Sequence, residues 1–232
     1  MFKSFKKFNN AQKAAIIFMY VLVIFFAVFI FINNSKRVSE EKAAAEQEIT
    51  GPVITAVAKD LYEGVEGHEL HHVAMVINGY GIVEMELDAT AAPETVNAFL
   101  ELVKNDFYRE KAVYRIVEGF ICQCGDHFGK SAPAVHGEFS ANGFEDNYIS
   151  HVRGTVSLSR GDEYDSGTSE FFICQSDCTE LDGQYAAFGW VTSGMEVLDQ
   201  IHTDAAQWGT NRFGYIIQPK DRPIIAFIEL ID

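Results

Sequence analysis

From about residue 70 onward, apolar and polar positions change over in short runs. Val73–Ile77 reads as a strand and Asn78-Gly79-Tyr80-Gly81 as the turn that follows it. Val83, Met85 and Leu87 then alternate with Glu84, Glu86 and Asp88, as in a strand with one dry face and one wet face. At Pro93-Glu94 the period changes. Val96, Phe99, Leu100 and Val103 recur at helical spacing, and Pro93 suits a first helical turn. Short strands are predicted over Val113–Val117, Phe120–Gln123, Gly154–Leu158, Phe171–Cys174 and Ala187–Val191. A second helix is predicted from about Met195 to His202, with Val197, Leu198 and Ile201 on one face, and Ile224–Leu230 closes the chain as a strand. Many strands with two isolated helices predict a mainly β fold, an antiparallel barrel with helices over its ends.

The N-terminal pattern is different. Ala14 to Ile32 is an unbroken apolar run of 19 residues. As a helix it would span about 28 Å, close to the hydrocarbon core of a bilayer. With no polar face it does not suit a soluble helix. It is too long for the core of a cleaved signal peptide, and the only small-residue stretch resembling a cleavage site, Ala43–Ala45, lies well past its end. The expected organisation is a basic cytoplasmic tail over 1–13, a transmembrane helix over 14–32, a stalk over 33–69 and a folded domain over 70–232. Lys3, Lys6, Lys7 and Lys13 lean the orientation toward a cytoplasmic N-terminus. That makes the chain a single-pass protein of the cell membrane, with its folded domain on the extracytoplasmic side and the lipid bilayer as a partner of residues 14–32.

Charge sharpens this picture. The first 32 residues hold four lysines and no acid, which leaves 14 basic and 33 acidic residues, a net charge of −19, on the rest. Such a body repels phosphate backbones, so no nucleic-acid partner is expected. The four cysteines, Cys122, Cys124, Cys174 and Cys178, lack the spacing of a zinc ribbon or a thioredoxin motif and read as buried thiols. A disulfide is open to them in an oxidising compartment. His68, His71 and His72 make a poor metal site. Asp162 to Gly167 resembles a calcium loop only loosely, because Ile173 stands where the bidentate glutamate belongs.

Five segments occur in an order that carries a resemblance: AAPETVNAFLELV, YRIVEGFICQCGD, GEFSANGFEDNYISHVRGTVSLSR, SGTSEFFIC and LDGQYAAFGWV. Over about 160 residues they resemble the blocks of cyclophilin-type peptidyl-prolyl cis/trans isomerases. The resemblance implies a closed eight-stranded antiparallel β-barrel capped by two α-helices. It also implies activity on proline-containing polypeptides, no cofactor and no metal. A monomer is expected.

The residues make chemical sense of that activity. The X-Pro bond rotates over a barrier of roughly 20 kcal/mol, sustained by resonance between carbonyl and nitrogen. As the bond twists, the nitrogen regains its lone pair. A fixed cation that donates to it stabilises the twisted state more than either planar one. Arginine suits this, being always charged, planar and rigid in its donors. By resemblance Arg115 is the catalytic arginine and Gln123 the side chain that holds it. Phe120, Ile121, Phe172, Leu181 and Tyr185 fall at the pocket positions, and Ser159, Arg160 and Gly161 line the adjoining subsite. Alternation sends Phe171 and Phe172 to opposite faces, so only one can line a groove; the resemblance selects Phe172. Cys122 and Cys124 share the face opposite Gln123, which favours a core role for both.

Three positions depart from the family pattern. Glu170 stands where Gln is usual, Glu180 where many eukaryotic members carry Trp, and Tyr185 where His is common. Both glutamates are expected beside bound substrate. Glu170 is open to pairing with Arg115 and dampening it. This keeps an alternative in view, a catalytically weak cyclophilin-fold module that grips proline-containing segments. The same carboxylates and the acidic body also point to a preference for cationic peptides that fades with salt.

Overall fold

The computed structural model describes residues 57–62, 67–125, 132–216 and 218–231. The expected transmembrane run over 14–32 lies outside them, and among the described residues no helix is long and apolar enough to cross a membrane. Eight strands follow in chain order: β1 Leu70–Ile77, β2 Gly81–Asp88, β3 Ala112–Val117, β4 Ile121–Gly125, β5 Thr155–Leu158, β6 Phe171–Cys174, β7 Ala187–Ser193 and β8 Ile225–Leu230. Among the described residues three α-helices accompany them: α1 Val57–Tyr62, α2 Pro93–Lys104 and α3 Met195–Trp208.

The strands form one antiparallel sheet in the order β3-β4-β6-β5-β7-β2-β1-β8. Where closure of the barrel was expected, the two edge strands meet through one bridge, Ala112 to Ile224, rather than a full ladder. Three backbone bonds reinforce that seam, Val113 N to Pro223 O, Ile225 N to Lys111 O and Glu110 N to Ile225 O, at 2.8 to 2.9 Å.

The core follows from the alternation. Val83, Met85 and Leu87 are fully buried, while their polar neighbours Glu84 and Glu86 stay at least partly in solvent. Both long helices add their apolar stripes to the same cluster, Val96, Phe99 and Leu100 from α2 and Leu198, Ile201 and Ala205 from α3. Helix α3 runs past the predicted end at His202 to Trp208 because Ala205 continues that stripe. It starts at Gly194 (φ +92°), where a Cβ would stand 2.2 Å from Ile82 O, so only glycine fits. Helix α2 has no side-chain cap of its own at Ala92. Instead Glu138, buried and remote in sequence, accepts from Glu94 N at 2.9 Å and Thr95 N at 2.8 Å. Its charge there also complements the positive end of the helix dipole.

Helix α1 lies within the stretch expected to be stalk. Ala58 and Tyr62, one turn apart, pack with Trp190, Ala187, Ile149 and Val152 in a second cluster. The Tyr62 hydroxyl accepts from Ser150 N at 2.8 Å. The folded body therefore extends N-terminal to Leu70, because these two side chains share one helical face.

Candidate active site

A single irregularity in β3 organises the site. Val113 pairs with Cys124 and Arg115 with Gln123, so two steps along β3 answer one step along β4. This bulge interrupts the in-out alternation. Val113 and Ile116 both enter the core, and the two residues between them, Tyr114 and Arg115, both serve the outer face of the sheet. On the adjoining strands strict alternation holds. Cys122, Cys124, Phe171 and Ile173 point into the core, while Ile121, Gln123, Phe172 and Cys174 point outward. The expectation for the Phe171-Phe172 pair and for the two cysteines is met. All four cysteines are buried free thiols.

The outward residues form a cavity of about 330 Å³. Arg115 and Gln123 line it, with Phe120, Ile121, Phe172, Leu181 and Tyr185 as its apolar part and Ser159, Arg160 and Glu170 around them. Gly161 and Tyr215 complete the lining. Glu180 does not take part; it is exposed on the 3₁₀ turn Thr179–Leu181.

The Arg115 guanidinium is fixed along two edges. Nε donates to Phe213 O at 2.8 Å and Nη1 donates to Gln123 Oε1 at 2.9 Å. Its Cζ also stands 5.7 Å from the centroid of the Tyr215 ring. Gln123 is itself saturated, with Nε2 donating to the Tyr114 hydroxyl at 2.6 Å and to Ser159 Oγ at 3.0 Å. Tyr114 in turn hydrogen-bonds Glu170; burial, then this carboxylate, push the phenol well above its ordinary range. It therefore stays protonated. Because a carboxylate only accepts, the Tyr114 proton goes to Glu170, the phenol oxygen accepts from Gln123, and the Gln123 carbonyl is left to face Arg115. Glu170 thus reaches Arg115 through this chain, in a different way from the direct pairing that the sequence left open.

The apolar slot is braced from behind. Phe172 is met edge-on by Tyr185, with centroids 5.7 Å apart, and stacked at 6.0 Å on the ring of His151. His151 is 1% exposed, with Nδ1 2.8 Å from Asp182 Oδ1 and Nε2 2.9 Å from Ser157 Oγ. Burial lowers its pKa despite the carboxylate. A neutral ring donating from Nδ1 and accepting from Ser157 satisfies both partners.

Comparison with known proteins gives this geometry a context. Residues 72–219 match the family described as cyclophilin-type peptidyl-prolyl cis-trans isomerase/CLD. The chain belongs to the cyclophilin family. Among curated cyclophilin relatives, a peptidyl-prolyl cis-trans isomerase of Arabidopsis thaliana is 34% identical over 155 residues. That alignment covers 62% of this chain and 64% of the plant protein, so the chain spans under two thirds of that relative's length. Peptidyl-prolyl cis-trans isomerase A of Dickeya dadantii is 35% identical over 159 residues, covering 66% of this chain and 80% of the bacterial one. A solved cyclophilin-type isomerase from Cryptosporidium parvum superposes with a TM-score of 0.57 at 24% identity, covering 71% of this chain and 99% of its own. Its structure in the presence of the dipeptide Ala-Pro gives 0.56 at 26%, covering 69% and 99%.

Several working parts of this cyclophilin domain escaped the sequence reading. Tyr114 was missed because the bulge that turns it outward leaves no mark in the apolar pattern. Tyr215 and the Phe213 carbonyl lie 98 or more residues from Arg115 in a segment with no periodicity. Asn211 builds that turn, its Oδ1 accepting from Phe213 N at 2.9 Å and Tyr215 N at 3.2 Å. The sequence Asn211-Arg212-Phe213-Gly214 was the one available turn signal. Histidines 68 and 72 pair with Asp88 and Glu86, and no metal-binding cluster occurs among the described residues.

Proposed function

We propose that this cyclophilin domain catalyses cis/trans isomerisation of X-Pro bonds in polypeptides at the outer face of a cell membrane, held there by residues 14–32, and assists the folding of exported proteins. One observation carries the catalytic part. A guanidinium restrained along two edges stands at the mouth of an apolar slot that suits a proline ring. With the ring seated against Phe120, Phe172 and Leu181, the donors of Arg115 that the protein does not use are available to the imide nitrogen as the bond twists. Donation to that lone pair opposes amide resonance and favours the twisted state over both planar ones. Because the guanidinium is already oriented, little reorganisation accompanies the reaction.

The weak-module alternative drew on Glu170 and Glu180. Glu170 has Tyr114 as a partner and Glu180 stands off the cavity, which favours turnover. The membrane assignment is supported by the length and apolarity of residues 14–32 and by the basic residues before them. The catalytic proposal is tested with the full-length protein, kept in mild detergent, on a peptide whose cis and trans X-Pro forms are followed directly. Acceleration of exchange supports it; binding without acceleration returns the reading to the weak module.

A further inference from the structure

Two arginines line the cavity, and the catalytic role accounts for one. Among the described residues Arg160 is held by neutral groups alone. Its guanidinium carbon stands 4.7 Å from the centroid of Tyr185, 5.0 Å from that of Tyr164 and 5.3 Å from that of Phe139. Nε donates to Gln184 O at 3.0 Å, and Nη1 to Gly161 O at 2.8 Å and Asp162 O at 3.4 Å. Among the described residues neither Arg160 nor Arg115 forms an ion pair, and Nη2 of Arg160 has no partner. The body around them carries a large acidic excess, so two unpaired guanidiniums in one cavity are notable. The one carboxylate in the lining, Glu170, is engaged with Tyr114.

We infer that Arg160 is a specificity determinant that receives a carboxylate of the substrate presented within about two residues of the X-Pro bond, from an Asp or Glu side chain or from a chain terminus. The inference rests on the isomerase reading for its substrate class. A guanidinium fixed between rings has already lost most of its rotamer freedom, so an incoming carboxylate meets an oriented donor at Nη2, the nitrogen the protein leaves unused among the described residues. The partial enclosure of the cavity limits screening of that contact by salt. The charge of the body acts at longer range and in the opposite sense, attracting cationic peptides at low salt. The two effects separate with ionic strength.

The experiment uses the full-length protein and peptides that differ only in Glu, Gln or Lys beside the X-Pro bond, each with a free or amidated C-terminus, at about 0.01 M and 0.2 M salt. Exchange rates and binding are measured separately. A partly exposed ion pair supports a Glu-to-Gln ratio of roughly fivefold in kcat/KM at the higher salt. Any preference for Lys should fade there. Arg160→Gln should bring the Glu-to-Gln ratio to about one, and Arg160→Lys should restore part of it, which a purely packing role would not do. The free-terminus arm identifies whether the carboxylate is a side chain or a chain end. A Glu-to-Gln ratio at or below one in the natural protein at 0.2 M salt, with no gain from a free terminus, overturns the inference. So does a ratio that Arg160→Gln leaves intact. If no peptide is accelerated, the isomerase reading fails, and the binding arms still decide the role of Arg160.

Discussion

Replacement of Gln123 by Ala separates the positioning of Arg115 from the apolar slot proposed to hold proline. The side chain is 6% exposed and uses its carbonyl and both amide protons. Its removal leaves Arg115 with Phe213 O as its remaining hydrogen-bond acceptor. A hydrogen bond to a charged group contributes about 1.5–3 kcal/mol. If that restraint acts mainly in the twisted state, kcat/KM falls about 10- to 100-fold. The fall should appear in kcat, because Phe120, Phe172 and Leu181 are untouched. Stability should drop as well. The bonds from Gln123 to Tyr114 and Ser159 are neutral and contribute about 1 kcal/mol each. The Tyr114 proton keeps Glu170 as its acceptor, so total destabilisation of about 2–4 kcal/mol is expected, including the small cavity left behind. The assay is direct cis/trans exchange on a neutral X-Pro peptide over a range of concentrations, with denaturant unfolding of the same samples. A folded Gln123→Ala protein with kcat within twofold of the natural one would refute the positioning argument.

Three other outcomes follow from the same geometry. Phe171→Ala should cost about 3–5 kcal/mol in unfolding free energy, because Phe171 is fully buried against Phe99 and Tyr108, whereas Phe172→Ala should chiefly weaken peptide binding; equal effects of the two on stability and binding would contradict the assigned faces. The pKa of His151 lies below its ordinary 6.5 through burial, so as pH falls below 6.5 the unfolded chain gains a proton that the native state does not, and stability declines until the folded pKa is reached. Asp182 adds its own loss only below 3.8, since hydrogen bonds from Ser150 and His151 outweigh its burial and hold its pKa down. Melting curves from pH 7.5 to 5.5 should therefore slope downward in the natural protein and less so in His151→Asn; parallel curves would exclude His151 as the source. Membranes from expressing cells should retain full-length protein after carbonate extraction, and release of a species beginning near Glu46 would instead indicate cleavage.

How far the sequence reached depended on the kind of constraint. Val83, Met85 and Leu87 announced their strand and its dry face because alternation is written into neighbouring residues. The same logic placed Phe172 outward and Cys122 and Cys124 inward. Arg115, Gln123 and the apolar slot came from motif resemblance and fall together around one cavity. What stayed hidden rests on long-range or irregular geometry. The β3 bulge turns Tyr114 outward against the alternation, Phe213 and Tyr215 reach Arg115 from a distant turn, and His151 stacks on Phe172 from the segment before β5. Helix α1 was read as stalk because a six-residue helix anchored by the buried Ala58 and the partly buried Tyr62 gives almost no periodic signal.

The central claim is that the Arg115 guanidinium lowers the barrier to rotation, and exchange spectroscopy on one X-Pro peptide with the natural protein, Arg115→Lys and Arg115→Ala tests it most directly. Acceleration should be lost almost wholly in Arg115→Ala and in large part in Arg115→Lys, whose ammonium lacks the planar donor edges that Gln123 and Phe213 hold, while both variants still bind the peptide in the apolar slot. A folded Arg115→Ala protein that accelerates exchange as well as the natural one would contradict the account.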